Sequence, residues 1–480
     1  MCDSCTFASI KRSITQIKIE MMNKLYMGVA ALSLCIGFTA CSEEEGLVYS
    51  NATVQNTELK TILAQKGYQF NADGNLLLDE LANNTTTLDL SGTNISTDAL
   101  SELSILPNLT EVDLSDNGYS LSFDFSSLPE QITGVDLTGN ELYEFPGLVD
   151  IETLENGDEN VTILRPLTKL YLPESAKYNC NEIVAFYQNV PNADMQMEDG
   201  TDNLSAYNTL REVPDEGTRA ILQNTFPSIF DGDEIDISKR LVLSSERNKD
   251  IGIYAFNIPS TSTVDEIQSV EGFQYVVMNK GWLGTSINLV SSSSCEIPYL
   301  KLGNTISTLV INNISTGEWS FDDAVNLCTV QMTKNPGIET LDLSNCELLG
   351  QRGYDLETSP LNNPSNLFLR ECKNLSTFIL PAEAKIIMSL TMIDLPELKK
   401  LDLSGCNSIS SILLGHLPAC DITYFDYTID PAIRMFGITK DVYEQTSTKN
   451  FLDKYHDVLM YSSLSMYGVT DTFDWRELYN

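Results

Sequence analysis

A nine-residue stretch, IETLDLSNC at 338–346, restricts the folds open to this chain more than any other feature, because it keeps returning. It recurs as LKKLDLSGC at 398–406 and, with Asn in the last place, as LTEVDLSDN at 109–117 and ITGVDLTGN at 132–140. In LDLS, Leu341 and Leu343 alternate with Thr340, Asp342 and Ser344. A short strand with that alternation sends the leucines to one face and the polar residues to the other. One unit cannot bury its leucines alone, so successive units stack to make the core. The closing Asn or Cys stands where the chain turns away. An Asn there satisfies backbone groups of the neighbouring unit, and a buried Cys fills a similar volume.

The pattern L-x-x-L-x-L-x-x-[NC] resembles the leucine-rich repeats. That resemblance implies an α/β solenoid with parallel strands and helical or β caps, here in two arrays. The first starts at Leu88 and Leu90 and continues at Val112 and Val135, spacings of 24 and 23 residues. Leu167, Leu170 and Leu172 form a fourth unit after an acidic insertion at 150–160. The second array is clear from Val330 and Met332 onward, through Leu341 and Leu343, Leu367 and Leu369, Phe378 and Leu380, and Leu401 and Leu403. Phe378 to Leu401 spans 23 residues but Leu367 to Phe378 only 11. Half-period strands such as CKNLSTFILP resemble bacterial surface proteins of this family whose units carry extended structure on two sides.

The middle is less regular. TRAILQNTFPSIFDGDEIDI at 218–237 loosely repeats LKTILAQKGYQFNADGNLLL at 59–78, so each array is expected to open on a cap of the same build: helix, aromatic, D-G turn, strand. Beyond it, Tyr275 and Val277, Leu300 and Leu302, and Leu309 and Ile311 are expected core pairs of a degenerate array. A small β-rich insertion over 231–294 is the alternative, and periodicity does not decide between them.

Residues 1–40 read as a targeting segment. Lys24 precedes an apolar run at 25–38 that is short for a membrane span, and Thr39-Ala40-Cys41 supplies a cleavage site. FTAC followed by SEEE resembles the lipobox of bacterial lipoproteins, which implies that Cys41 becomes the lipidated first residue. The acidic run after it resembles the export signal of surface-exposed lipoproteins in Gram-negative gut anaerobes. Translation is expected to start at Met21 or Met22 rather than Met1. The expected organisation is then a signal at 1–40, a flexible tether at 41–56, cap and first array at 57–175, a linker with a helical insertion at 176–217, cap and second array at 218–428, and a C-terminal cap at 429–480. The expected location is the outer membrane, held by lipid alone and facing outward.

A net charge of −38 opposes nucleic acid or anionic lipid as partners, since both call for basic surfaces. Of 11 cysteines, Cys2, Cys5 and Cys35 leave with the signal and Cys41 takes lipid, so seven remain. No C-x-x-C occurs among those seven. Cys346, Cys372 and Cys406, at or near the closing position of repeats, are expected to be free buried thiols.

Catalytic motifs are missing. The only histidines, His416 and His456, lie in no HExxH, and no nucleophile elbow or phosphate loop is present. With 67 carboxylates, chance alone places some pair at glycosidase separation. The alternating acids of DGDEID at 231–236 lack the glycine and terminal Glu of a calcium loop and read as a solvated turn. No metal or cofactor is expected. Binding is sought instead on the open strand face, where Asp89, Asp113, Asp136, Asp342 and Asp402 project as either a generic solvated face or a binding column. Tyr171, Phe368 and Arg370 depart from the pattern and are of types favoured as interface anchors. The expected function is adhesion or recognition of a protein ligand without catalysis. Glycan capture for a polysaccharide-uptake system is the alternative, and a carboxylate-dependent glycan hydrolase a distant third.

Overall fold

The computed structural model describes residues 49–154, 159–201, 203–242, 256–257, 267–282, 284–351, 365–426 and 434–479. The signal and Cys41 lie outside the described residues.

Alternation of apolar and polar residues builds a first sheet whose strands follow one another in chain order. Thr87–Asp89, Glu111–Asp113, Gly134–Asp136, Lys169–Leu172 and Asp194–Glu198 are parallel neighbours, and Leu204–Ala206 closes the edge antiparallel. Their register sets Leu88, Val112, Val135, Leu170 and Met195 in one buried row. The row beside it, on the opposite face, is Asp89, Asp113, Asp136, Tyr171 and Gln196. This sheet runs past residue 175 into the acidic stretch expected to be a linker with a helical insertion. DMQME keeps the period of two, with Met195 buried, and period outweighs composition.

Regular structure also occupies part of the expected tether. Asn51–Ala52 pairs antiparallel with Leu76–Leu77 and so belongs to the first cap. The helix Thr57–Gln65 starts on Asn56, whose side chain accepts the Leu59 N–H at 3.0 Å, and buries Leu59, Ile62 and Leu63. The second cap repeats this order. Asp215 caps the helix Glu216–Thr225 through the Thr218 N–H, and the hairpin Phe230–Asp231 with Glu234–Asp236 turns at Gly232, at φ +64°. Both D-G dipeptides read in the sequence are therefore turns that need a left-handed residue.

The second sheet has nine parallel strands. They are Phe256–Asn257, Ser286–Lys301, Thr308–Ser320, Thr329–Thr333, Asn366–Arg370, Ile386–Ile393, Ser408–Gly415, Met435–Ile438 and Met460–Tyr461. Leu289, Ile311, Met332, Leu369, Met392, Leu414 and Ile438 share one register row, each fully buried. After four of these strands the next residue in line, Lys334, Glu371, Asp394 or His416, is left-handed, with φ between 53° and 57°, and Asn313 takes the same conformation, at φ 60°, within Thr308–Ser320. The chain thus turns the same corner each time. Two strands of the sheet fall within the segment expected to be only a C-terminal cap. The helices Lys440–Glu444 and Thr446–Tyr455 and the buried Trp475 then cover the end.

Between visits to this sheet the chain forms short parallel pairs, Thr340–Asp342 with Thr377–Ile379 and Lys400–Asp402 with Asp421–Thr423. The LDLS strands of the second array are therefore separate from the large sheet. That explains the uneven spacing: the 11 residues from Leu367 to Phe378 lead from one set of strands to the other. Leu300, Leu309 and Ile311 are buried strand residues as expected, whereas Tyr275 and Val277 sit in the helix Phe273–Val277. Many parallel strands with few helices are compatible with a repeat architecture.

The two sheets belong to one compact unit, 51–480. A buried cluster of Tyr143, Tyr178, Tyr275 and Tyr299 links them, with Tyr143 and Tyr299 stacked at 4.5 Å. Beside it Glu144 receives the Lys301 ammonium at 2.8 Å and the Tyr299 hydroxyl at 3.1 Å.

Candidate functional site

The expected binding residues occupy three surfaces. Asp113, Asp136 and Tyr171, with Asp89, line the first sheet in adjacent register. Phe368 and Arg370 lie on the nine-stranded sheet, opposite Gln331 and Thr333. Asp342 and Asp402 stand in the separate short pairs, opposite Ile379 and Thr423. They do not form a single column.

The aspartates have a local task that explains their recurrence. Asp89 and Asp113 accept from Ser91 and Ser115, Asp136 from Thr138, and Asp342 and Asp402 from Ser344 and Ser404, always the backbone N–H two residues on at 2.9–3.1 Å. In all but Asp342 the Ser or Thr hydroxyl donates as well, at 2.6–2.7 Å. Each is an Asx turn that closes the strand. The Ser404 hydroxyl and then the Lys400 ammonium lower the Asp402 carboxyl to about 2.

Tyr171 is half-buried and fixed from several sides. Its hydroxyl donates to Asp194 at 2.8 Å and receives Gln196 Nε2 at 3.2 Å, while Lys169 Nζ lies 4.5 Å from its ring centre. The bond to Asp194 holds the phenol above its ordinary pKa. Lys169 reaches Glu111 at 3.5 Å across Gly134, where a Cβ would stand 2.6 Å from Glu111 Cγ. Phe368 packs on Tyr467 at 5.5 Å, and Arg370 pairs with Glu371 at 2.7 Å, so both make contacts within the fold.

The better-formed concavity is a cleft of about 630 Å³ between the ends of two successive strand segments, with Leu121 of the first array at its edge. Glycines bring its walls together. A Cβ on Gly317 would lie 2.2 Å from Pro298 O, and one on Gly337 2.0 Å from Thr316 O. Trp319, in the strand Thr308–Ser320, and Phe321, just past its end, stack at 5.7 Å with planes 9° apart. Around them stand Glu318, Asp322, Glu339 and Asp342, and among the described residues no Lys, Arg or His lines the cleft. Desolvation, together with Glu141 and Glu339 nearby, holds the Glu318 carboxyl above its usual range. Asn345 Nδ2 donates to Asp322 at 2.8 Å. At the wall, Trp319 Nε1 and Ser320 Oγ are buried without a hydrogen-bond partner among the described residues.

Of the expected site residues only Asp342 lies in this cleft; Asp402 lines a smaller one of about 340 Å³ with Lys400 and Ser404. The sequence reading missed Trp319, Glu318 and Glu339. The signal was there in TGEWSFDD, one of three tryptophans in the chain, spaced two from a Phe among carboxylates.

Comparison with family models, with curated proteins and with solved structures gives no match. Function therefore rests on the chemistry of the surfaces. At 231–236, Asp236 accepts from Ser238 and Thr209, and Lys239 approaches Asp231 and Asp236 at 3.9 Å. No group of three or more His, Cys, Asp or Glu side chains among the described residues is arranged to hold a metal ion.

Proposed function

We propose that the chain is a leucine-rich-repeat lipoprotein, anchored in the outer membrane by acylated Cys41 and facing outward, that recognises a glycan without turning it over. The repeat motifs and the FTAC-SEEE junction support the class and the location. Among the described residues no helix is long and apolar enough to cross a membrane, a fact that leaves the location open.

The observation that carries the functional reading is the cleft at Trp319. Its volume lies within the roughly 300–1,000 Å³ of small-ligand sites. An indole face takes the apolar face of a sugar ring. Carboxylates of Glu318, Glu339 and Asp342 accept from sugar hydroxyls.

A screen of the soluble chain from Ser42 against glycans and matrix proteins tests this. A glycan is expected to bind, and Trp319→Ala to weaken it about tenfold or more. Equal binding by the variant, or cleavage of the glycan by the wild type, would sink the reading. Recognition of a protein on the first sheet is a second reading, favoured by the rigid seating of Tyr171. It predicts that Tyr171→Ala, and not Trp319→Ala, abolishes capture of a matrix protein.

A further inference from the structure

Residues 462–472 leave the edge strand Met460–Tyr461, cross the outer face of the nine-stranded sheet and return where Thr472 bridges Thr439 and the Phe473 N–H donates to Ile438 O at 2.8 Å. This strap buries Leu464 and Val469 on Ile393 and Leu413. Its Tyr467 meets Phe368, and a Cβ on its Gly468 would stand 3.9 Å from the Arg370 guanidinium. Gly415 and Gly437 make room: a Cβ on Gly437 would lie 2.5 Å from Ser462 O and one on Gly415 3.1 Å from Leu464 Cδ1. The strap thus rests on the face that carries Phe368 and Arg370.

One side chain ties the strap to the sheet beneath it. His416, in the left-handed corner after its strand, has Nδ1 2.5 Å from Asp394 Oδ1 on the preceding turn of chain and Nε2 3.0 Å from Asp471 Oδ1 on the strap. Its own N–H donates to Thr439 Oγ1 at 3.0 Å. The remaining acid close by, Asp441, accepts from Leu417 N–H and the Thr439 hydroxyl rather than from the imidazole. Both ring nitrogens therefore face carboxylates, and only the imidazolium donates from both.

We propose that the strap is a cover over Phe368 and Arg370 whose closure depends on protonated His416, so that it is clasped in mildly acidic surroundings and loosened as pH rises. The two carboxylates raise the His416 pKa against the opposing effect of burial. The clasp is thus complete below the ordinary histidine value of about 6.5 and is lost as pH rises through the elevated one. Once neutral, the ring donates from one nitrogen only.

The size of the effect follows from exposure. His416 and Asp471 are 38% and 63% exposed, so losing the clasp shifts the strap's opening equilibrium about two- to fivefold. Burial of Leu464 contributes roughly ten- to a hundredfold, so the clasp biases the strap without being the whole of its attachment.

The test is hydrogen exchange on the soluble full-length chain from Ser42 between pH 6 and 9, corrected for base catalysis, read at the Leu464, Gly468 and Phe473 amides. In the wild type the opening constant is expected to rise two- to fivefold across that range. In Asp471→Asn, which changes an exposed side chain, the step should vanish while the rest of the sheet keeps its protection. His416→Asn, chosen because Asn tolerates the left-handed corner, should behave the same way. Leu464→Ala should open the strap at every pH and retain the step. No step in the wild type, or an equal step in Asp471→Asn, would overturn the proposal.

Discussion

At the scale of single residues, the closing Asn of the first array works as its position in the motif suggests. Asn140 Oδ1 accepts from the Asn117 and Tyr119 N–H groups, both at 3.1 Å, and its Nδ2 donates to Leu114 O and Leu137 O at 3.1 and 2.8 Å. It is 9% exposed, so water does not replace it readily. Asn140→Ala strands buried backbone donors and acceptors of two successive turns and is expected to cost about 3 kcal/mol in urea denaturation; a loss below about 1 kcal/mol would show that the turns hold without it. Where Cys takes this place the polar work is slighter. Cys372 reaches Met332 O and Arg370 O over long contacts, and burial pushes its thiol up to about 11. The aspartates teach a different lesson. Their recurrence in LDLS reflects a turn each one closes, which is why the motif itself names no ligand.

At the scale of elements, the strands were legible wherever the period of two was intact, as at Leu88, Val112, Val135 and Leu170. Three things hid the rest. Acidic composition masked the strand Asp194–Glu198, although Met195 and Met197 keep the alternation. Local pattern does not say which of two strand sets a leucine pair joins, so Leu341 and Leu401 read like Leu367 while pairing elsewhere. The cleft depends on glycines whose role is set by neighbours far along the chain, Gly317 under Pro298 and Gly337 under Thr316. At both the obstacle is a backbone carbonyl that no rotamer change removes, and Gly337 is the tighter of the two, at 2.0 Å against 2.2 Å. Gly337→Ala is therefore expected to destabilise by about 3 kcal/mol and to weaken any ligand of the Trp319 cleft, read by thermal unfolding and binding together. Ordinary stability with unchanged binding would mean that the two segments have room to part.

At the scale of the whole molecule, the question is how two sheets with separate hydrophobic clusters act as one body. The first cluster runs from Val54 to Tyr207 and the second takes in the tyrosines of the junction and continues to Trp475. Between them stands the pair of Glu144, 8% exposed, and Lys301, which also approaches Asp323 at 3.0 Å. Glu144 and the Tyr299 hydroxyl together raise the cost of any change there. The carboxylate keeps Lys301 charged, its pKa raised against the pull of burial. Removing one partner of such a pair leaves the other buried and unmatched, which costs about 3–5 kcal/mol. Lys301→Ala is expected to lose that much and to uncouple the sheets, so that a single urea transition in the wild type becomes two. Thiols give an independent readout, since the seven cysteines among the described residues form no disulfide with one another and six are buried. In the wild type their exposure to a thiol reagent should coincide with the loss of circular dichroism, which reads both sheets. In Lys301→Ala the first transition should precede the exposure of Cys346, Cys372 and Cys406, which lie deep in the second cluster. If the wild type already unfolds in two steps, the tyrosine cluster and its ion pair do not couple the sheets.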